Sequence, residues 1–411
     1  MSNGHGEDVI ALRILTALRK WDPDIDLSVL PLAGTGSAYK DLSIVGPTQM
    51  LPSGGFLNRD LKRLAMDVQK GLLPLTRSQL SALKSWAKTG DAILAVGDIV
   101  PLLFAYLSGL PYAFVGTAKS DYWLRDEQGK LPVKTLWQRL EGWSGSVYLP
   151  WERWLMSCPN CKAIFVRDAL TAQQLNSLGI AAQYRGNPMM DDLAPTGKLT
   201  GLVAQGVPSA IPLYITLLPG SRPPEAYENW ANILAAIPSV VKAVFPRPLV
   251  LLAAISPSLS SDRLQMSLAD WQLKSGRYES GRYPMYTRQN ATLWLISDAY
   301  NDCLHQSDIA IATAGTATEQ FVGLGKPAIT LPGKGPQFTS AFAEVQAKML
   351  GSSVQVVHTP GAVGAVVAQL INDPESLQQI YQNGKHRMGD PGAGDRIAHQ
   401  LIQTFLDTLE S

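Results

Sequence analysis

At 411 residues, against a typical domain of about 150, the chain predicts two or three domains and not a single core. Hydrophobic residues at 46% and charged residues at 17% exclude a largely disordered, collagen-like or coiled-coil protein. Thirty-five basic against thirty-four acidic residues leave a net charge of +1, so no overall field draws the chain to nucleic acid or repels it from an anionic membrane.

Met1 opens onto Ser2-Asn3-Gly4-His5-Gly6-Glu7-Asp8 with no secretory leader, which predicts a cytoplasmic protein. Over residues 7–20, Val9, Ile10, Ile14, Leu15 and Leu18 recur at helical spacing, with acidic residues first and Arg19-Lys20 last, as a helix dipole favours. Short strands are predicted at 27–32 and 42–45, and helices at 61–72 and 77–89. The apolar run 92–96 ends at Gly97-Asp98, the form of a buried parallel strand that delivers a loop at its carboxyl end; 111–115 and 163–166 repeat it. The apolar stretch 99–115 is shorter than the ~20 residues of a spanning helix and is broken by Gly109 and Pro111, so it reads as helix, turn and strand. The pattern restarts with strands at 214–218, 248–254, 292–296, 309–312 and 328–331. Alternating strands and helices imply parallel sheets covered on both faces. The expected architecture is α/β, two Rossmann-like doubly wound domains facing across a cleft at the carboxyl ends of their strands. Gly186-Asn187-Pro188 breaks the periodicity, giving domains at 1–186 and 187–392, with a last helix at 393–411 expected to pack back on the first. No repeat of solenoid length is present.

Asn3-Gly4-His5-Gly6 precedes the first helix, where glycines and free helix-start amides suit an anion; a plain helix cap is the alternative, and His5 is a candidate base. A doubly wound domain needs a strand before such a loop, yet only Met1 and Ser2 precede Asn3, so that strand is expected to be missing, either lost or cut off by a start set too late. Asp98, at a strand's carboxyl end, is a general base or substrate contact, or a loop-capping aspartate. Gly220-Ser221-Arg222 leaves a strand with a guanidinium beside the turn, fit to grip a diphosphate, unless it is an ordinary loop. The run 307–320 is the most informative: a buried strand, a Gly315-Thr316 turn, then a helix start carrying Ala317, Thr318, Glu319 and Gln320, suited to a phosphate and to ribose hydroxyls.

Between Trp123 and Trp154, Trp137, Trp143 and Trp151 alternate with Lys134, Arg139 and Arg153, a mixture that fits a membrane interface or a core or cleft lining. Asp22, Asp24 and Asp26 read as a solvated turn and not a metal site. Cys158, Cys161 and Cys303 are too few for a disulfide framework and point to a reducing compartment; Cys158-Pro159-Asn160-Cys161 reads as incidental thiols, since no second ligand pair matches it. No P-loop, GxSxG, HExxH or paired CxxC occurs, which removes the commonest kinase, hydrolase and zinc readings.

The segments Arg185-Gly186-Asn187-Pro188-Met189-Met190-Asp191-Asp192-Leu193, Leu217-Leu218-Pro219-Gly220-Ser221-Arg222 and Gly315-Thr316-Ala317-Thr318 together resemble lipid-A-disaccharide synthase, in its cyanobacterial related branch. The opening Ser2–Asp8 motif, Pro52-Ser53-Gly54-Gly55-Phe56 and Gly335-Pro336-Gln337-Phe338 look typical of that branch, and the resemblance spans essentially the whole chain. It implies a GT-B glycosyltransferase: a UDP-sugar held by the C-terminal domain, a lipid-linked acceptor by the N-terminal one, no required metal or other cofactor, and a peripheral position on the inner face of the cytoplasmic membrane. By the resemblance Arg222 is functionally important and Asp98 stands one residue early for the catalytic aspartate of a VGxD-like loop. A histidine of the related transferase that acts on lipid I is matched most nearly by His5, beside Asn3, Gly4 and Gly6 as acceptor contacts. The ribose-binding glutamate falls on Gln320, with Glu319 one place earlier; Gln337 joins the nucleotide-sugar set.

Two other functions compete. A non-hydrolysing UDP-N-acetylglucosamine 2-epimerase shares the fold and a GxRPE-like turn, here Gly220-Ser221-Arg222-Pro223-Pro224-Glu225. A catalytically silent nucleotide-sugar-binding protein is motivated by the short N-terminus and by Gln320.

Overall fold

The computed structural model of the chain describes residues 1–49, 71–132, 136–200, 211–274, 283–333 and 338–409. It divides into two compact units, Met1–Asp191 with Asp390–Ser411, and Asp192–Gly389. Residues 61–70 of the predicted helix at 61–72, the Pro52–Phe56 motif, Lys134 and Gln337 lie outside the described residues, as does the side chain of Trp137.

In the first unit the helix His5–Trp21 buries Ile10, Ala11, Ile14, Leu15 and Leu18, with Glu7 and Asp8 in its first turn and Arg19 and Lys20 in its last. Short strands β1 (Ser28–Val29) and β2 (Ser43–Ile44) pair in parallel. β3 (Ile93–Gly97), β4 (Tyr112–Gly116), β7 (Cys161–Val166) and β8 (Ala182–Gln183) form a parallel sheet in that order, while β5 (Arg125–Asp126) and β6 (Gly129–Lys130) make a separate antiparallel hairpin. The helix Ile99–Ser108 and Gly109 in the left-handed conformation connect β3 to β4, so the 99–115 stretch is the helix, turn and strand that its sequence predicts.

The strand expected to be missing before the glycine loop is present as a stub. Ser2 forms parallel bridges to both Pro31 and Val96. Its neighbours complete the ladder: the Met1 amino group donates to Leu94 O at 2.7 Å, Val96 N to Met1 O at 2.8 Å and Leu32 N to Ser2 O at 2.7 Å. Two residues therefore occupy a central strand position, too short a stretch for any periodicity to announce it. Burial pulls the Met1 ammonium down to about 5, against the attraction of Asp8.

The helix Ala393–Leu409 belongs to the first unit, where Ile397, Ala398 and Leu401 share a core with Ile10, Ile14 and Leu18. The boundary between units falls at Asp191–Asp192 and not at Gly186. The physical reason is Asp191, whose carboxylate accepts from the backbone N–H of Gly392 (2.6 Å), Ala393 (3.1 Å) and Gly394 (2.7 Å) at the start of that returning helix.

The second unit holds one eight-stranded sheet. Its strands are β9 (Leu213–Leu218), β10 (Leu249–Ala254), β11 (Gln272–Leu273), β12 (Met285–Arg288), β13 (Ala291–Ile296), β14 (Ile309–Ala312), β15 (Ala328–Thr330) and β16 (Val354–Val356), in the order β11-β12-β13-β10-β9-β14-β15-β16. β11, β12 and β13 pair antiparallel and the other pairs are parallel. The five predicted strands are all present; the antiparallel edge was not anticipated. The long helix Glu225–Val244 lays Ala226, Trp230, Ile233, Ile237 and Val240 on this sheet's core.

Candidate functional site

In doubly wound sheets ligands bind at the carboxyl ends of strands, where the strand order reverses. In the second unit the chain runs from β9 outward to β10 and β13, then returns to the other side of β9 with β14. The loops leaving β9 and β14 therefore flank the switch point, and these are the Gly220–Arg222 and Gly315–Thr316 loops. Gly220 has φ +92° and a Cβ there would lie 3.7 Å from Thr313 O, which measures how closely the two loops approach. Asn229 ties them: its amide nitrogen donates to Pro219 O at 3.1 Å and to Thr313 O at 3.3 Å. Ser258 Oγ holds Ser221 O at 2.6 Å. Arg222 is half-buried and Ser221 exposed; among the described residues the Arg222 guanidinium has no ion-pair partner.

The helix Thr316–Gly323 begins at Gly315, which supplies no side-chain cap; the first amides and the positive end of a helix dipole suit an anion. Thr316 is exposed, Gly315 and Ala317 are half-buried, and Thr318, Glu319 and Gln320 are buried. Thr318 turns its hydroxyl back to Ala314 O at 2.5 Å, Gln346 Nε2 donates to Gly315 O at 2.9 Å, and Tyr300 OH donates to Gln320 Oε1 at 2.7 Å. The Gly-Lys-Pro that follows has a structural role of its own. Lys326 Nζ donates to the carbonyls of Leu304 (2.9 Å), His305 (2.5 Å) and Ser307 (2.7 Å), closing the end of the helix Tyr300–Gln306.

The first unit has its own switch point, between the Met1–Ser2 stub and β3. Asn3 Nδ2 donates to Asp98 Oδ1 at 2.7 Å across it. Asp98 Oδ1 also accepts from Val100 N at 2.9 Å, so Asp98 is both the cap of the helix Ile99–Ser108 and a group at the switch point. Gly97 is required between them: its φ is +137° and a Cβ would sit 1.9 Å from Asn3 Oδ1. Burial pushes the Asp98 carboxyl up to about 6, with the Val100 N–H and the Lys119 charge opposing. Lys119 is paired with Glu152 at 2.6 Å.

His5 is exposed and Gly6 half-buried, while Asn3 and Gly4 are buried; the His5 charge acts on Asp8. Sequence reasoning missed Glu7, which is 5% exposed, receives Thr117 Oγ1 at 3.5 Å and is pushed up to about 7, chiefly by burial. Helical spacing carried that signal, since Glu7 falls in one stripe with Ile10, Ile14 and Leu18. Asn229 was missed for the same reason, lying in the stripe of Ala226, Trp230 and Ile233.

Of the tryptophans at 123–154, Trp143 (80% exposed), Trp151 (51%) and Trp154 (56%) face outward, and Leu103 and Leu107 are exposed as well, whereas Trp123 packs against the core. Arg139 is exposed one helical turn before Trp143, and Trp154 meets Tyr106 edge-on at 5.2 Å. Cys158, Cys161 and Cys303 are free, and burial pushes the Cys161 thiol up to about 12. Among the described residues no helix is long and apolar enough to cross a membrane, and no group of three or more His, Cys, Asp or Glu side chains could hold a metal ion.

No protein-family model matches the chain, and no curated protein matches it by sequence. Solved structures do. A UDP-GlcNAc 2-epimerase from Neisseria meningitidis bound to UDP-GlcNAc is similar with TM-score 0.53 and 15% identity, covering 98% of each chain. MurG from Acinetobacter baumannii is similar with TM-score 0.56 and 13% identity, again over 98% of each chain. CalG4, the calicheamicin glycosyltransferase, is similar with TM-score 0.57 and 12% identity over 100% of this chain and 97% of that one. The fold is that of the GT-B enzymes, with two Rossmann-like units.

Proposed function

We propose that the chain is a glycosyltransferase that moves an N-acetylglucosamine-type sugar from a UDP-sugar to a lipid-linked acceptor, in the manner of lipid-A-disaccharide synthase. The observation that carries this reading is the second unit's switch point, where the Gly220 turn that leads to Arg222 approaches the end of β14, the strand before Thr316–Gly323. A diphosphate there gains a bidentate cation and fixed amide dipoles. Together they neutralise the charge that develops as UDP leaves, in place of a divalent cation. Asp98 takes the proton of the acceptor hydroxyl, with Asn3 orienting its carboxylate. Glu319 and Gln320 contact the ribose.

The same reading puts the chain in the cytoplasm, on the inner face of the membrane that carries the acceptor. Supporting it are the exposed rings of Trp143, Trp151 and Trp154 with Leu103, Leu107 and Arg139, since indoles at headgroup level beside a cation suit an anionic lipid surface. Sedimentation with phosphatidylglycerol vesicles tests this. The wild type is expected to pellet with them, and a triple Trp143→Ser, Trp151→Ser, Trp154→Ser variant to stay in the supernatant; equal binding of the two removes this face from the reading.

A second reading, 2-epimerisation of the UDP-sugar, is favoured by the Gly220–Glu225 turn and by the resemblance to the Neisseria fold. Thermal-shift titration with UDP, UDP-N-acetylglucosamine, UDP-glucose, GDP-mannose and NAD comes first. Selective stabilisation by UDP ligands is expected from binding linkage, and a flat response sinks both readings. Incubating UDP-N-acetylglucosamine with and without membrane lipid extract then separates them. Transfer requires the extract, whereas epimerisation proceeds without it.

A further inference from the structure

We infer that Asn229, Thr318 and Gln346 are positioning residues for the donor diphosphate: each holds one of three consecutive carbonyls behind the turn that follows β14, so that the N–H groups of the turn are aimed before the anion arrives. This deepens the transferase reading and rests on it.

The three side chains come from three different helices. Asn229 stands near the start of Glu225–Val244, Thr318 in the first turn of Thr316–Gly323, and Gln346 within Ser340–Leu350, where it is buried with Ala343 and Leu350. Asn229 Nδ2 donates to Thr313 O at 3.3 Å, the Thr318 hydroxyl to Ala314 O at 2.5 Å, and Gln346 Nε2 to Gly315 O at 2.9 Å. A threonine hydroxyl bonded four residues back is common in a helix. That habit does not explain three carbonyls in a row, each taken by a side chain from a separate element.

A peptide unit is planar and trans, so its C=O and N–H point in opposite directions. Holding the carbonyls of Thr313, Ala314 and Gly315 therefore fixes the N–H groups of Ala314, Gly315 and Thr316, turned away from the three clamps. None of these N–H groups has a backbone acceptor among the described residues. The two sides also differ in access. Asn229, Thr318 and Gln346 are 3%, 0% and 2% exposed, whereas Ala314 and Gly315 are half-buried and Thr316 is exposed. The clamps stand on the buried side, and the donors face the side that a ligand reaches. Successive N–H groups so arranged make a concave anion site, and donors set in place beforehand need no reorganisation as charge develops on the leaving diphosphate.

The arrangement costs stability. Gln346 Oε1 and Asn229 Oδ1 are buried without hydrogen-bond partners among the described residues, a penalty that an apolar side chain of similar size avoids. Nor does Gly315 O depend on Gln346 for a partner, because it also accepts from Glu319 N at 3.2 Å. Packing and hydrogen-bond satisfaction alone would favour methionine at 346. Aiming the Thr316 N–H requires a donor there.

The test is titration of the whole chain with UDP, inorganic pyrophosphate and uridine, by calorimetry and ligand-detected NMR, in wild type, Gln346→Met, Thr318→Val and Thr318→Ser. Gln346→Met and Thr318→Val are each expected to weaken UDP and pyrophosphate about tenfold and to leave uridine unchanged. Thr318→Ser keeps the hydroxyl and is expected to bind as wild type does. The thermal midpoint of Gln346→Met is expected to hold or rise, since the unpaired acceptor is gone. Wild-type UDP affinity in both Gln346→Met and Thr318→Val overturns the clamp and leaves the transferase reading intact. An equal loss of UDP and uridine overturns it too, because the side chains then only hold the loop together. If the wild type binds pyrophosphate and no nucleotide, the transferase reading falls, and pyrophosphate affinity in the same variants decides the clamp. A wild type that binds neither overturns both.

Discussion

Replacing Arg222 by alanine is expected to lower sugar transfer by about 100- to 1000-fold, the range for losing one preorganised group that stabilises developing charge, with little change in the thermal midpoint. The two effects separate because of where the side chain stands. Its guanidinium is half-buried at the mouth of the β9 loop and has no ion-pair partner among the described residues, so truncation leaves no buried group unsatisfied. The loop itself is held by other means: Ala226 N donates to Arg222 O at 3.0 Å, and Asn229 and Ser258 fix the carbonyls of Pro219 and Ser221. Arg222→Lys keeps the charge but not the planar fork, and is expected to fall between wild type and alanine. Steady-state kinetics against the donor, alongside UDP affinity by calorimetry, measure this. A fall in kcat larger than the loss of UDP affinity assigns Arg222 to the departing diphosphate; unchanged turnover removes it from the mechanism.

Much of the fold was legible because parallel strands buried on both faces are continuous apolar runs. Residues 92–96, 214–218 and 309–312 are of this kind, and β3 (Ile93–Gly97), β9 and β14 form there. The antiparallel edge was not legible, because β12 and β13 turn through Gln289-Asn290, with Gln289 at φ +54°, and not through the Asn-Gly or Asp-Gly pair that announces a hairpin. The Gly220 and Gly315 loops were singled out from their glycines and their place after strands, and the Asn3–Gly6 loop from its glycines before a helix. The groups inside them were read by residue type: His5 drew notice as a histidine, while position 5 lies off the buried stripe of its helix and position 7 lies on it. A residue's chemistry is written in its type, but the burial that changes that chemistry is written in its spacing.

Asp191 makes the same point on the side of stability. It belongs to the Arg185–Leu193 segment, to whose acidic pair sequence reasoning assigned no role. The structure uses Asp191 as a staple: one carboxylate receives three backbone N–H groups at the start of Ala393–Leu409, two at 2.6 and 2.7 Å and one at 3.1 Å. That helix start has its amides and the positive end of its dipole facing a negative charge. Asp191→Ala leaves three donors without their acceptor, and at about 1–3 kcal/mol for each buried group left unsatisfied the expected cost is about 3 kcal/mol or more. Asp191→Asn keeps one acceptor oxygen and is expected to cost less. Because Ile397, Ala398 and Leu401 reach the core only when this helix is docked, the lost stability should concentrate there. Hydrogen exchange over 393–409 is expected to accelerate in Asp191→Ala more than exchange in β9, β10 or β14, and urea unfolding to shift to lower concentration. UDP affinity below the unfolding transition should stay as in the wild type. A variant with normal exchange in that helix and weakened UDP binding would instead assign Asp191 to the substrate site.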